Sequence, residues 1–312
     1  MFVMLKPASI NAVFAPIACA ALAGCGASGA ALSPPGGTTQ QADVVPARLG
    51  SFVFTCQNGT VFDCLVYTDR GRLLRTLTTD VDSPLGVAAG QDGLLYVANN
   101  FADNVLVYSG GAHSLLRELD DGGNAPIDVA VFHDELAVSN QHTMTVFRPG
   151  ATKPTRTLHD PDVLQGSGAA FDEAGNCYWS FSSQTSGAQV DEFVGCKGKP
   201  KALNITPGSP YGIAFDQNGN LYYTSFSSDA DGVYRCAGTT SCRLIYGQFI
   251  DPQYLNFSRD FNDLWINDPG NDSLGSAIYE VDVATGKVVE KITSGLSFFN
   301  PPSGVAGAPG PF

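Results

Sequence analysis

The feature that most restricts the fold of this chain is a phrase that recurs about every 42 residues. Each copy has a proline or turn residue, a small residue, an apolar run, a polar turn with glycine and an aromatic-rich segment; the clearest copies begin at Pro84 and Pro210. The equivalent positions are spaced by 42, 40, 44, 42 and 50 residues, and they are Gly86, Asp128, Gly168, Gly212, Tyr254 and Gly304. A repeat of this length is typical of a fold built from one supersecondary unit.

Each copy of the repeat predicts four short antiparallel β-strands. Further β-rich runs follow the aromatic segments, such as residues 104–108, 115–119 and 232–235. No stretch shows sustained helical periodicity with capping residues, which disfavours helical repeat arrays of similar period. Four antiparallel strands per copy are typical of a β-propeller blade. The sequence therefore predicts an all-β fold, a six-bladed β-propeller of four-stranded antiparallel blades.

The two ends of the repeat region together predict one complete blade. Residues 51–56, 62–67 and 72–77 have the character of the last three strands of a blade that lacks its first strand. Residues 304–306 near the C-terminus would supply that strand, and the closed ring would leave no open sheet edge. Residues 48–312 are thus predicted to form one propeller, with about 44 residues per blade.

The N-terminal residues predict export and a lipid anchor. Lys6 precedes an apolar run at residues 10–21, which is too short for a permanent membrane span and is typical of a signal peptide over residues 1–24. The run ends in Leu22-Ala23-Gly24-Cys25, which resembles the lipobox of bacterial lipoproteins. The resemblance implies that Cys25 is lipidated and becomes the first residue. The alternative is an ordinary cleavage site with an incidental cysteine.

The residues after Cys25 predict a flexible connection to the membrane. Residues 25–47 are rich in Gly, Ala, Ser, Pro, Thr and Gln, the composition of a tether. Gly26 rather than an aspartate follows the cysteine, and by resemblance to the sorting pattern of Gram-negative bacteria this implies the outer membrane of the cell envelope. In a Gram-positive host that implication does not hold.

The charge balance excludes two classes of partner. The chain carries 30 acidic and 17 basic side chains, a net charge of −13. Removal of residues 1–24 takes away Lys6 and leaves −14. Such a surface repels phosphate backbones and anionic lipids, so we expect no nucleic-acid partner and attachment to the membrane through the lipid alone. We also expect a monomer, because the ring is closed.

Six cysteines remain after the signal and the anchor, an even number as expected for an exported disulfide protein. Each consecutive pair brackets a predicted turn, and cross-strand neighbours in a hairpin lie within disulfide reach. We therefore predict three local disulfides, Cys56–Cys64, Cys177–Cys196 and Cys236–Cys242. The weaker alternative is zinc binding, since the sequence has no Cys-x-x-Cys and only four histidines.

Three phrases carry a resemblance to a known family of propellers. They are Pro84-Leu85-Gly86-Val87-Ala88, Asp92-Gly93-Leu94-Leu95-Tyr96-Val97-Ala98-Asn99 and Asp216-Gln217-Asn218-Gly219-Asn220-Leu221-Tyr222, and they resemble the NHL and SMP-30-like six-bladed β-propellers. The resemblance covers residues 51–312. It is specific for the type of blade and implies little about activity, because the phrases mainly encode a turn and its packing.

Candidate ligand-binding residues lie where inner strands begin and second strands end, around the central funnel. They are Asn99, Asp128, Asn140, Ser225, Tyr254 and Asp268. Their oxygen atoms could bind a small polar ligand or a hard cation, and the alternative is that they cap strand ends and form turns.

Two functions follow from these residues. The first is a lipid-anchored extracytoplasmic binding module without a cofactor, whose ligand is a protein, a glycan or a small polar molecule; no catalytic motif was found. The second is a metal-dependent SMP-30-like lactonase or lyase that holds a divalent cation in the funnel. That family uses a glutamate from the N-terminal blade, but the first glutamate here is Glu118, so Asp128 would have to replace it.

Overall fold

The protein is a ring of six four-stranded antiparallel sheets, which confirms the predicted six-bladed β-propeller. The computed structural model describes residues 51–225, 230–271 and 275–311. The predicted signal peptide (1–24), the tether (25–47) and the lipidation site Cys25 lie outside the described residues. In blades 2 to 6 the strand nearest the central channel pairs with the next strand in sequence, and so on outwards; in blade 1 the inner strand is the last strand of the chain and pairs with the first.

The strands are numbered in chain order. Blade 1 contains β1 (Phe52–Asn58), β2 (Phe62–Thr68) and β3 (Leu73–Leu77); blade 2 contains β4 (Pro84–Ala89), β5 (Leu95–Asn99), β6 (Asn104–Tyr108) and β7 (Leu115–Asp120). Blade 3 contains β8 (Pro126–Phe132), β9 (Glu135–Asn140), β10 (Met144–Phe147) and β11 (Arg156–Leu158); blade 4 contains β12 (Val163–Phe171), β13 (Cys177–Ser183), β14 (Gly187–Phe193) and β15 (Lys201–Leu203). Blade 5 contains β16 (Pro210–Phe215), β17 (Leu221–Ser225), β18 (Gly232–Ala237) and β19 (Thr240–Tyr246); blade 6 contains β20 (Leu255–Phe257), β21 (Asp263–Asn271), β22 (Gly275–Asp282) and β23 (Val288–Ile292), and β24 (Ala306–Ala308) completes blade 1.

The hydrophobic core is divided into six clusters, each between two adjacent blades. Strand β5 shows how one strand serves two clusters: Leu95 and Val97 pack towards blade 1, whereas Tyr96 and Ala98 pack towards blade 3. Because side chains alternate between the two faces of a strand, a strand buried on both faces is apolar throughout. This explains why the second strand of each repeat is a continuous apolar run in the sequence.

Small residues at the repeat positions let the inner strands converge on the channel. A Cβ atom added at Gly168 would lie 2.5 Å from the Tyr211 carbonyl oxygen, and one added at Gly304 would lie 2.5 Å from the Leu85 carbonyl oxygen. Both oxygens belong to the inner strand of the next blade. The recurring glycine is therefore required by the close approach of neighbouring backbones.

The C-terminus closes the ring as predicted, with a small shift in the strand. β24 pairs with Phe52–Phe54 of β1, so the regular pairing covers residues 306–308 rather than 304–306. The residues just before it also join blade 1, since the Ser303 N–H donates to the Cys56 carbonyl oxygen at 2.8 Å. The predicted closure is confirmed, and only the position of the strand was wrong.

The three predicted disulfides are present. Cys56 and Cys64 are directly opposite in the β1–β2 hairpin, and Cys236 is bonded to Cys242 across the β18–β19 hairpin. Cys177 opens β13 and is bonded to Cys196 in a short 3-10 turn after β14, so this bridge does not join directly opposed strand residues. Three disulfides indicate an extracytoplasmic compartment. Within the described ranges, no helix has the length and apolar character needed to cross a membrane.

Candidate functional site

The antiparallel blades place the loops on two opposite faces of the ring. Inner strands all begin on one face, which we call the upper face, and the turn between the second and third strands of each blade lies there too. Among the described residues, the upper-face loops are 59–61, 78–83, 100–103, 121–125, 141–143, 159–162, 184–186, 204–209, 230–231, 247–254 and 293–305. The other turns form the lower face.

Two of the predicted ligand residues, Asn99 and Asp268, hold loops in place. The Asn99 side chain accepts a hydrogen bond from the Asp82 N–H at 2.6 Å and donates to the Asp80 carbonyl oxygen at 3.0 Å. The Asp268 carboxylate accepts the N–H groups of Ile250, Asp251 and Gly270 at 3.1, 2.9 and 3.0 Å. Both side chains are buried, and each secures the loop that leads into the inner strand of its own blade.

Asn140 and Ser225 occupy similar buried positions at the ends of their strands. The Asn140 amide donates to Thr145 Oγ1 at 3.1 Å, and the Thr145 hydroxyl donates to the buried Asp121. Burial raises the pKa of Asp121 to about 7. Ser225 Oγ accepts the Ser209 N–H at 2.9 Å. The hydrogen bonds of these residues lie within single blades, as in the alternative of strand capping.

The remaining two predicted residues, Asp128 and Tyr254, meet inside the channel. Tyr254 reaches across the ring, with its hydroxyl 3.4 Å from the Ile127 carbonyl oxygen of the opposite blade. Its ring is in edge contact with Tyr211, with centroids 5.3 Å apart. Asp128 accepts the Ala169 N–H at 3.0 Å, and burial raises its pKa to about 8. Tyrosine side chains thus cross the channel, where the sequence predicted an open funnel.

Above these tyrosines the upper face contains a cavity of about 550 Å³, within the size range of small-ligand sites. It draws residues from blades 2, 3, 4 and 5 and lies over the channel mouth. Its polar and aromatic lining consists of Asn100, Phe101, Asp103, Gln141, Gln165 and Tyr211. We call this space the channel-mouth cavity.

Several of these side chains keep polar atoms that the described fold does not use. Asn100 donates its amide N–H to the Pro126 carbonyl oxygen at 2.9 Å, so its Oδ1 is available to accept a hydrogen bond. Asp103 uses Oδ1 to accept the Ala125 N–H at 2.9 Å, so Oδ2 is available. Gln141 and Gln165 are exposed. The cavity therefore offers hydrogen-bonding groups, whereas Asn99 and Asp268 use theirs to hold backbone groups of loops.

The cavity residues are sequence neighbours of the predicted ones. Asn100 and Gln141 directly follow Asn99 and Asn140, and Ile127 directly precedes Asp128. The cavity is therefore lined by residues adjacent to the predicted ones, whose role in ligand binding stays a prediction. The sequence signal for the cavity-lining residues is the position just outside each strand, where the loop turns over the channel.

The ligand set expected for a lactonase is not brought together. Asn140 and Asp268 lie in blades 3 and 6, on opposite sides of the ring, and Glu118 accepts the Asn104 amide on an outer strand at 2.9 Å. Among the described residues, no group of three His, Cys, Asp or Glu side chains is arranged to hold a metal ion. This arrangement does not favour metal-dependent hydrolysis in the channel.

Comparison with known proteins supports the fold. No protein-family model matches the sequence, and no curated protein matches it. Among solved structures, a chain from the "Crystal structure of Nidogen/Laminin Complex" is similar, with a TM-score of 0.64 and 16% sequence identity, over 83% of this chain and 98% of that one. In total 1014 solved chains match, which reflects a widespread architecture rather than a particular activity. The resemblance to NHL and SMP-30-like propellers stays a prediction.

Proposed function

We propose that the protein is a lipid-anchored, extracytoplasmic interaction module that binds its partner on the upper face. The observation that carries this proposal is the direction of β1. It runs antiparallel to the inner strand and enters the ring from the lower face at Phe52, directly after the predicted tether. A tether attached before β1 would thus join the ring on its lower face, and the channel-mouth cavity would lie on the opposite face.

The chemistry of the upper face supports a binding role. The channel-mouth cavity has uncommitted amide and carboxylate oxygens, and its rim residue Phe101 is 69% exposed. Large exposed aromatic side chains next to a polar cavity are typical of recognition surfaces. The similar chain comes from a structure titled as a complex of two proteins, which agrees with partner binding by this architecture.

Site-specific crosslinking tests the choice of face. A photo-reactive phenylalanine analogue at Phe101 on the upper face should give a covalent adduct in cells that express the protein. The matched control is the same analogue at Glu173, an exposed residue in a lower-face turn. Adducts at Phe101 but not at Glu173 are the expected result. Equal adduct yields at both positions, or none at Phe101, would contradict the proposal.

The anchor has a separate test. Cys25→Ser should abolish labelling by a fatty-acid analogue and release the protein from the membrane fraction, because only the cysteine thiol can accept the diacylglyceryl group. Cys19→Ser, within the signal peptide, is the control and should label normally. Equal labelling of the parent and Cys25→Ser would show that the Leu-Ala-Gly-Cys motif is an ordinary cleavage site.

A further inference from the structure

Basic side chains are unevenly distributed between the two faces. In the described residues of the upper-face loops there is no lysine or arginine. The same loops carry the partly or fully exposed acidic residues Asp80, Asp82, Asp103, Asp160, Asp162, Asp231 and Asp251. By contrast, the lower-face turns carry charges of both signs that nearly balance: the basic residues are Arg70, Arg72, Arg148, Lys153, Lys197, Lys199, Arg259 and Lys287, and the acidic ones are Asp69, Asp92, Asp134, Asp172, Glu173, Asp216 and Asp260. The upper face therefore carries a net negative charge, which favours a positively charged partner.

Exposed phenylalanines form a patch on the same face. Phe101 and Phe299 are each 69% exposed, Phe298 is 46% exposed and Phe62 is 37% exposed. The rings of Phe62 and Phe101 have centroids 6.4 Å apart, and the Phe299 carbonyl oxygen accepts the Thr60 N–H at 3.0 Å beside them. We call Phe62, Phe101, Phe298 and Phe299 the aromatic patch. It spans blades 1 and 2 and adjoins the channel-mouth cavity through Phe101.

The cavity itself has the groups that recognise a cationic side chain. The Asp103 carboxylate and the Asn100 amide oxygen can accept hydrogen bonds from a guanidinium, and the rings of Phe101 and Tyr211 provide aromatic surfaces. Burial is the main cause of the raised pKa of the Tyr211 phenol, and the nearby Asp128 adds to it. Arginine is the residue that combines planar hydrogen bonding with stacking on aromatic rings.

We propose that the upper face binds a basic protein segment, with an arginine side chain in the channel-mouth cavity and apolar side chains of the same segment against the aromatic patch. The choice of the upper face rests on the proposed function. The new proposal is that the partner is a basic protein segment. A neutral saccharide would make no use of the acidic surface, and an anionic membrane would be repelled by it. Arginine and aromatic residues are, in contrast, enriched in protein interfaces.

Three labelled peptides test the class of partner. Fluorescein-labelled Gly-Phe-Arg-Gly-Phe-Arg-Gly is compared with versions in which glutamate or glutamine replaces arginine, using fluorescence anisotropy with the full purified chain. The arginine peptide should bind at least about tenfold tighter than the glutamine peptide at low salt, and the difference should shrink as salt screens the charges. Equal binding of the three peptides, or no binding of the arginine peptide, overturns the proposal.

A pair of matched variants tests the cavity. Asp103→Asn removes the charge and keeps the Oδ1 acceptor for Ala125, and asparagine tolerates the backbone φ of 53° at this position. Asp134→Asn is the control, an exposed aspartate with φ of 63° in a lower-face turn. We expect about three- to tenfold weaker binding of the arginine peptide for Asp103→Asn and unchanged binding for Asp134→Asn. Equal effects of the two variants contradict the cavity assignment.

Two further outcomes separate this proposal from the proposed function. If maltoheptaose displaces the arginine peptide without salt dependence, the cavity is a saccharide site and the basic-partner proposal is wrong, while crosslinking at Phe101 still supports an interaction module. If Phe101 gives no adduct, the proposed function fails whatever the peptides show. Melting temperatures of all variants confirm that any loss of binding is not a loss of folding.

Discussion

Asp128 is a carboxylic acid held where a negative charge is costly. It is only 6% exposed, its pKa is raised to about 8 by burial, and its main partner is the Ala169 N–H. Tyr254 and Tyr211 close the channel beside it; burial raises the pKa of both phenols, and the Asp128 charge adds to the shift. At neutral pH the folded protein thus favours the protonated form of this group.

This predicts a pH dependence of stability with a definite sign. A carboxyl whose pKa is higher in the folded than in the unfolded state binds its proton more tightly when folded, so stability falls as pH rises from about 4 to about 8. Asp128→Asn keeps an oxygen acceptor for Ala169 and does not titrate. Between about pH 5 and pH 8 the parent should lose at least about 1 kcal/mol, or about 2 °C in Tm, relative to Asp128→Asn.

Thermal melts across this pH range provide the measurement. Asp134→Asn serves as the control, since Asp134 is exposed and its substitution should leave the pH profile of the parent unchanged. If the Tm of the parent and that of Asp128→Asn change with pH in the same way, Asp128 is ionised in the folded protein over the whole range.

At the inner strands, the one-residue offset between the predicted Asp128 and the cavity residue Ile127 has a structural cause. The inner strands carry register irregularities next to the repeat position, between Pro84 and Val87 in β4 and between Pro126 and Asp128 in β8. A bulge of this kind interrupts the alternation of side chains that a sequence pattern assumes. Strand ends could be located from the sequence, but the direction of side chains beyond the bulge could not.

At the scale of single elements, buried polar side chains repeatedly hold a loop against its blade through hydrogen bonds. Asp268 is the strongest example, because its carboxylate accepts three backbone N–H groups from the loop before β20 and from its own strand end. Unsatisfied buried donors are expensive, so the side chain determines the path of residues 247–254 into the channel.

Substitution of Asp268 separates this structural role from ligand binding. Asp268→Ala leaves three N–H groups without their acceptor and should lower the free energy of unfolding by about 2–4 kcal/mol, measured by urea denaturation. Asp268→Asn keeps one oxygen and should lose less. If Asp268→Ala has the stability of the parent, the loop does not depend on the carboxylate and a functional role for Asp268 regains support.

The sequence was more informative about hairpins than about long loops. Turn residues between apolar runs located the strand pairs, and the three cysteine pairs agree with that local register. The loop at residues 293–305 is longer than the loops before the other inner strands, and its path depends on distant partners, such as the Gln57 amide, which donates to the Gly295 and Asn300 carbonyl oxygens at 2.8 Å. The aromatic patch contributed by this loop therefore could not be predicted.

At the scale of the whole molecule, the C-terminal segment joins three blades. The Ser303 hydroxyl donates to the Pro84 carbonyl oxygen of blade 2 at 2.8 Å, and Asn267 of blade 6 donates to the Pro302 carbonyl oxygen at 2.9 Å. Asn256, also in blade 6, donates to the Val305 carbonyl oxygen at 2.8 Å. β24 itself pairs with blade 1. One short segment thus links the first, second and last blades across the channel.

Deletion of residues 300–312 should therefore open the ring, because these residues include the inner strand of blade 1. It would remove the pairing partner of β1 and expose the apolar edge of Val53 and Phe54, which are buried in the intact protein. Unpaired apolar strand edges promote aggregation. We expect the truncated protein to aggregate or to become sensitive to protease, as measured by size-exclusion chromatography and limited proteolysis.

The matched control is deletion of residues 26–47, which should leave the melting curve unchanged because the predicted tether precedes the first strand. Closure by a single strand also explains why the two deletions differ, although both affect chain ends. Among the described residues, the C-terminal deletion removes backbone hydrogen bonds from blade 1. A truncation at residue 299 that remains monomeric, with unchanged circular dichroism and cooperative melting, would show that three strands suffice for blade 1 and that the ring is held by the interblade clusters alone.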